Sequence, residues 1–204
     1  SAGGGSRFSE RAAASLGKRG DSYYAGVRVV QDIIHQGSAM NRNDTFGSFN
    51  PDNDPRKRVG IVAKAGGWIT PDFQVEATAL TSAVRTSFDA SPTTSDVNLQ
   101  SISMANLRGI YSLPQNFSIM ATYGGSLDRS TVRGAYPAIF NTQSLQATVQ
   151  LEKKLSFGRI FTGMDHEIQK VTSTTQFTTT NRTNVAGFIG SQLNTGRHVA
   201  EGMF

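Results

Sequence analysis

Cysteine is absent from this 204-residue chain. That removes disulfides, thiolate metal sites and cysteine nucleophiles from consideration. Aliphatic residues are also scarce. Hydrophobic residues make up 37%, short of the roughly 45–50% of an ordinary soluble domain, so filling a conventional core is difficult. No run of about 18 apolar residues occurs, which rules out a transmembrane helix. No signal-peptide pattern opens the sequence; the start at Ser1-Ala2-Gly3-Gly4-Gly5-Ser6 reads as a processed N-terminus or as an arbitrary boundary. A long basic block is missing too. The net charge is +5, and the one dense cluster is Arg56-Lys57-Arg58. As a nucleic-acid footprint this is weak; it suits a solvated strand entry or anionic lipid headgroups equally well.

Thr, Ser, Asn, Gln and Gly are abundant instead, a balance that fits strands with one enclosed polar face. The stretch from Val97 to Arg129 carries the pattern. Leu99, Ala105, Leu107, Tyr111 and Leu113 share one parity, then a turn at Leu113-Pro114-Gln115-Asn116 leads to Phe117, Ile119, Ala121 and Tyr123, alternating with Ser118, Met120 and Thr122. A period of two marks a strand with unlike faces. The same unit recurs at Val59 to Ala79 around Thr70-Pro71-Asp72. It recurs again at Leu145 to Val171 around Ser156-Phe157-Gly158.

Tight turns near 71, 115 and 157 therefore alternate with long polar connections at 36–57, 88–96, 130–144 and 172–183. The expected fold is all-β: an antiparallel up-and-down barrel of about eight strands over 23–193, with long loops at one end and short turns at the other. Residues 1–22 read as a tail or short surface helix, since Arg7 to Leu16 has helical propensity but little apolar face. Residues 194–204 read as a tail or a final partial strand.

This order of turns, with the Leu-Pro-Gln-Asn turn and the Phe-Ser-Ile-Met-Ala-Thr-Tyr-Gly strand after it, resembles the small bacterial outer-membrane β-barrels of the eight-stranded OmpA/OmpX-like class. The resemblance lies in topology, not in a signature motif. It implies a bacterial outer-membrane location, contact with outer-membrane lipid, and a non-enzymatic role that is structural or exercised through the long loops, with other envelope or surface proteins as partners there or at the N-terminal tail. A lumen filled or narrowly hydrated follows from the width of eight strands. Lys153 and Arg85 on the outward parity, and the poor alternation of His198 to Phe204, depart from the pattern.

With odd positions of the middle strands outward, Arg28, Lys64, Glu76, Arg108, Glu152 and Lys154 point inward and must pair or stay hydrated. They form an expected lumen charge network. The aromatics Tyr23, Trp68, Phe73, Tyr111, Phe117 and Tyr123 fall near strand ends, where an interfacial girdle belongs.

No catalytic, cofactor or metal residues are expected. His35, His166 and His198 lack metal-ligand spacing, and within Asp165-His166-Glu167 the imidazole would point away from both carboxylates. Asp52-Asn53-Asp54 has hard oxygens suited to calcium but lacks the rest of a calcium loop. Two other readings remain open: a soluble or filament-forming β-sandwich of a surface or virion, and a barrel hydrolase.

Overall fold

The computed structural model describes residues 2–5, 9–35, 43, 45, 47–50, 52–195 and 198–203. They form one sheet of eleven strands in strict sequence order, every neighbouring pair antiparallel. The strands are β1 (Ala2–Gly5), β2 (Ser9–Arg19), β3 (Tyr23–Ile34), β4 (Arg56–Thr70), β5 (Phe73–Phe88), β6 (Asp96–Leu113), β7 (Phe117–Arg133), β8 (Ala138–Leu155), β9 (Gly158–Ser173), β10 (Asn181–Thr195) and β11 (His198–Met203). The up-and-down order follows from the turns. Gln115 and Asn116 take φ of 60° and 64°, letting Leu113 pair with Phe117 across a tight reversal.

Three expectations change. The described residues form eleven strands, not about eight: β3 to β10 supply the eight read between 23 and 193, and strands outside that span add to them. Residues 9–19 are not a tail or helix but β2, paired with β3 from Ser9↔Ile34 to Arg19↔Tyr24. Helical propensity is a weak prior, and backbone pairing with β3 outweighs it. The connection at 130–144 is largely strand: β7 and β8 pair as far as Val132↔Ala138, leaving a short link at 134–137, whereas the one at 172–183 shortens only to 174–180 between β9 and β10. The loop at 89–95 stands; before β4, residues 47–50 and 52–55 form no strand and Arg56 and Lys57 already belong to β4, while most of the rest of the connection read at 36–57 lies outside the described residues.

Register keeps unlike residues on opposite faces. One row crosses nine strands as Leu16, Val27, Ala63, Ala79, Ala105, Gly125, Leu145, Ile168 and Thr183. Directly paired residues project to the same side, so this row defines the apolar face. No hydrophobic side chain among the described residues is buried; Val149 is 55% exposed and Met164 61%. Along β9 exposure alternates: Ile160, Met164 and Ile168 are open, while Arg159, Asp165 and Glu167 are half-buried. A single sheet shelters one face without a second layer only by curling, so the polar face is concave. This is not a sandwich: Val75, Ile119 and Val149 pack under no second sheet. No pairing joins β1 to β11 among the described residues, and the sheet is open.

Candidate functional site

The concave face carries the charge network. Tyr24 on β3, Lys64 on β4, Glu76 on β5 and Arg108 on β6 meet because Gly66↔Glu76 and Glu76↔Arg108 are register pairs. Lys64 Nζ lies 3.0 Å from Glu76 Oε2 and 5.8 Å from the Tyr24 ring centre. Tyr24 donates its hydroxyl to the same carboxylate oxygen. Gly66 makes room, since a Cβ there would strike the Tyr24 hydroxyl. Arg108 Nε also donates to Met120 Sδ at 3.1 Å. A second pair lies across β8 and β9, where Arg159 Nη1 meets Glu152 Oε2 at 3.0 Å; Arg159 Nε donates to Gln192 Oε1 at 2.7 Å. A third joins Arg11 and Asp32 at 3.4 Å.

Of the six residues expected in this network, Lys64, Glu76 and Arg108 come together and Glu152 pairs elsewhere. Arg28 and Lys154 share the concave face but lie outside these pairs. Sequence reasoning missed Tyr24, Arg159 and the Arg11–Asp32 pair. Parity alone would have found Arg159, opposite Lys154 and one step from Glu152. Arg11 was hidden by the helix assigned there. All the acids in these pairs carry a basic partner or a hydroxyl, as a sheltered charge requires.

The aromatics divide. Tyr23, Phe73 and Tyr111 lie on the convex face at the turn end, with Phe73 and Tyr111 edge to face at 6.3 Å. Phe117 joins them and carries Lys153 Nζ at 4.4 Å from its ring centre. Trp68 does not belong to the girdle: it pairs with Gln74 and so takes the polar face, beside a register shift at Thr70. Tyr123 pairs with Leu107 and Ala147, deep within the apolar face and away from the strand end. His166 pairs with Ala147 and Val185 on the convex face, opposite Asp165 and Glu167, so these three build no acid–base site.

At the loop end, carboxylates tie connections together. Asp96 is fully buried. It accepts hydrogen bonds from Thr94 Oγ1 at 2.7 Å, Ala135 N–H at 2.7 Å and Ala90 N–H at 3.0 Å. Burial pushes this carboxyl up, but the three donors outweigh burial and hold it below its ordinary value. Gly134 fits against it at φ 135°, where any Cβ would collide with Asp96 Oδ1. Single carboxylate oxygens of Asp52, Asp54 and Asp89 lie within 4.8 Å of one another. Ser95 Oγ donates to Asp52 at 3.3 Å and Asn50 N–H to Asp89 at 3.3 Å. These bonds knit the end of the loop before β4 to the 89–95 connection.

No family model matches the sequence, and no curated protein does. Among solved structures the chain is similar to BauA, the ferric preacinetobactin receptor from Acinetobacter baumannii, with a TM-score of 0.62 at 11% identity. The match covers 96% of this chain and 39% of that one, so the chain spans well under half of the receptor's length. The likeness is one of fold alone, that of an all-β, up-and-down antiparallel sheet.

Proposed function

We propose that this chain forms the wall of a bacterial outer-membrane β-barrel with no catalytic role of its own. It holds loops on a rigid scaffold and encloses a lumen narrowed by paired charges. One observation carries the reading: an exposed apolar convex face set against a sheltered, hydrogen-bonded polar one. In water that face is a large liability; in lipid it is the required surface. Its dimensions also fit. Uncharged convex runs span Val59–Ile69, Phe73–Ala83 and Phe117–Leu127. At about 3.4 Å per residue and a tilt of about 45°, eleven residues rise about 26 Å, close to the apolar band of about 25 Å.

Unpaired backbone groups in hydrocarbon cost several kcal/mol each, so both sheet edges must be covered in a bilayer. Closure of the sheet, on itself or through further strands, is therefore part of this proposal. A receptor role for the loop end is its finer form, in keeping with the receptor nature of the structural neighbour. Nucleic acid is not a proposed partner.

Refolding into phosphatidylcholine vesicles tests the proposal. A membrane wall yields a protease-resistant species that migrates differently on a denaturing gel before and after boiling. A stable monomer in buffer without detergent, indifferent to vesicles, refutes it.

A further inference from the structure

Charge is sorted between the two faces. In the strands, Asp32, Glu76, Asp96, Asp128, Glu152 and Asp165 all sit on the polar face, as do Glu167 and Glu201. The convex face among the described residues carries a single acid, Glu10, at the far edge on β2. It carries seven cations, of which Lys18 and Lys153 lie toward the turn end. The other five lie toward the loop end: Lys57, Arg85, Arg129, Arg133 and Lys170.

Their positions follow one rule. On β4 the uncharged convex run ends at Val59 and the next outward residue is Lys57. On β5 it ends at Ala83 and is followed by Arg85. On β7 Leu127 precedes Arg129, with Arg133 two outward positions further. On β9 Ile168 precedes Lys170. Lys57 and Arg85 are direct register partners, and Arg85, Leu99 and Thr131 continue the row, with Arg129 and Arg133 flanking Thr131. At about 4.8 Å between strands the β4–β7 cluster is about 14 Å wide. All five side chains are exposed, and none belongs to an ion pair among the described residues.

We propose that these cations are a docking surface for the phosphorylated headgroups of the lipid leaflet on the loop side. This rests on the membrane reading above. Cations that begin where the crossing length ends sit at headgroup level. Facing outward without acidic partners, they complement lipid phosphate, not the protein's own carboxylates. The convex face below them continues the same surface, so an acyl chain lies on it while its phosphate meets the cations. Free phosphate lacks that second contact.

The test compares two double variants of equal charge change, K57Q/R85Q and K18Q/K153Q, each refolded into phosphatidylcholine vesicles. Binding of a bisphosphorylated lipid, doped into the vesicles, is read by native mass spectrometry. Each cation near a surface contributes about fivefold. K57Q/R85Q therefore loses on the order of twenty-fold in lipid occupancy, and K18Q/K153Q loses less than about fivefold. Inorganic phosphate at tens of millimolar leaves binding intact beyond its ionic-strength effect. Equal losses in the two variants, or full competition by inorganic phosphate, overturn the assignment. If all three chains fail to insert into pure phosphatidylcholine, the membrane reading itself falls and takes this surface with it. Insertion of all three without selective lipid binding overturns only the docking surface.

Discussion

The β7–β8 hairpin contains two regions with the same backbone and different surroundings. Its turn half presents Phe117, Ile119, Ala121 and Tyr123 beside Ala147, Val149 and Leu151 on the convex side. Its loop half presents Arg129 and Thr131 beside Ile139 and Asn141 on that same side. The ladder continues unbroken between them, from Phe117↔Lys153 to Val132↔Ala138. Alternation in a sheet thus reports what each face touches, not whether the strand exists. Where both faces meet water, the period-two signal fades while the hydrogen bonds persist.

That comparison is broken most sharply by moving a charge along it. Val149→Arg puts a cation in the middle of the convex apolar face. It is expected to cost about 2–4 kcal/mol of folding stability in bilayers, whereas Thr131→Arg is expected to cost about 0–1 kcal/mol. Urea titration of the vesicle-folded protein measures both. Equal costs at the two positions would mean that the hairpin does not cross an apolar layer.

The link of the loop half is held by a fully buried carboxylate, Asp96. Asp96→Ala leaves Ala90 N–H, Ala135 N–H and the Thr94 hydroxyl without their acceptor. A loss on the order of 1–3 kcal/mol is expected, confined to the 89–95 and 134–137 connections and visible as faster amide exchange there. Gly134→Ala is expected to have a similar effect at the same place, because its Cβ collides with that carboxylate.

Acid titration sharpens the distinction. The Asp96 carboxyl is held below its ordinary value when folded. Its contribution is therefore fully present above the ordinary carboxylate value, about 3.9, and is lost as pH falls through the lower folded value. Loop-end exchange should accelerate below about pH 4, and in Asp96→Asn that acid-dependent step should vanish. A step of the same size in the variant removes Asp96 as its source.

The smallest effect is expected on the concave face. Glu152→Gln removes the 3.0 Å pair with Arg159. Because Arg159 is 40% exposed and keeps its bond to Gln192, the cost should stay below about 1 kcal/mol. A double-mutant cycle with Arg159→Gln measures the coupling.

Particular residues show how far the sequence could be read. Leu145, Ala147, Val149 and Leu151 betrayed their strand because lipid-type and polar faces alternate there without exception. Ser130 to Ser144 did not, because Arg129, Thr131 and Asn141 are polar on the side where Leu127 is apolar. Ser9 to Arg19 looked helical because Ala and Leu favour helices, and β2 forms only because β3 offers it an unpaired edge. Lys64 and Glu76 were placed on one face by parity, but Tyr24 joins them through the register of three strands, which no single stretch encodes. Trp68 lies near a strand end, as a girdle residue would, but its even position on β4, in register with Gln74, puts it on the polar face.

The amino-acid sequence by itself determined the all-β meander, its turn positions and the sorting of greasy from polar side chains, since each depends on residues within one or two strands. Tertiary structure alone decided the number of strands, the true length of the loop-end hairpins, the partners of each buried carboxylate and the belt of outward cations. These depend on register between strands far apart in the chain, and register is set by backbone pairing summed over whole strands, not by any local motif.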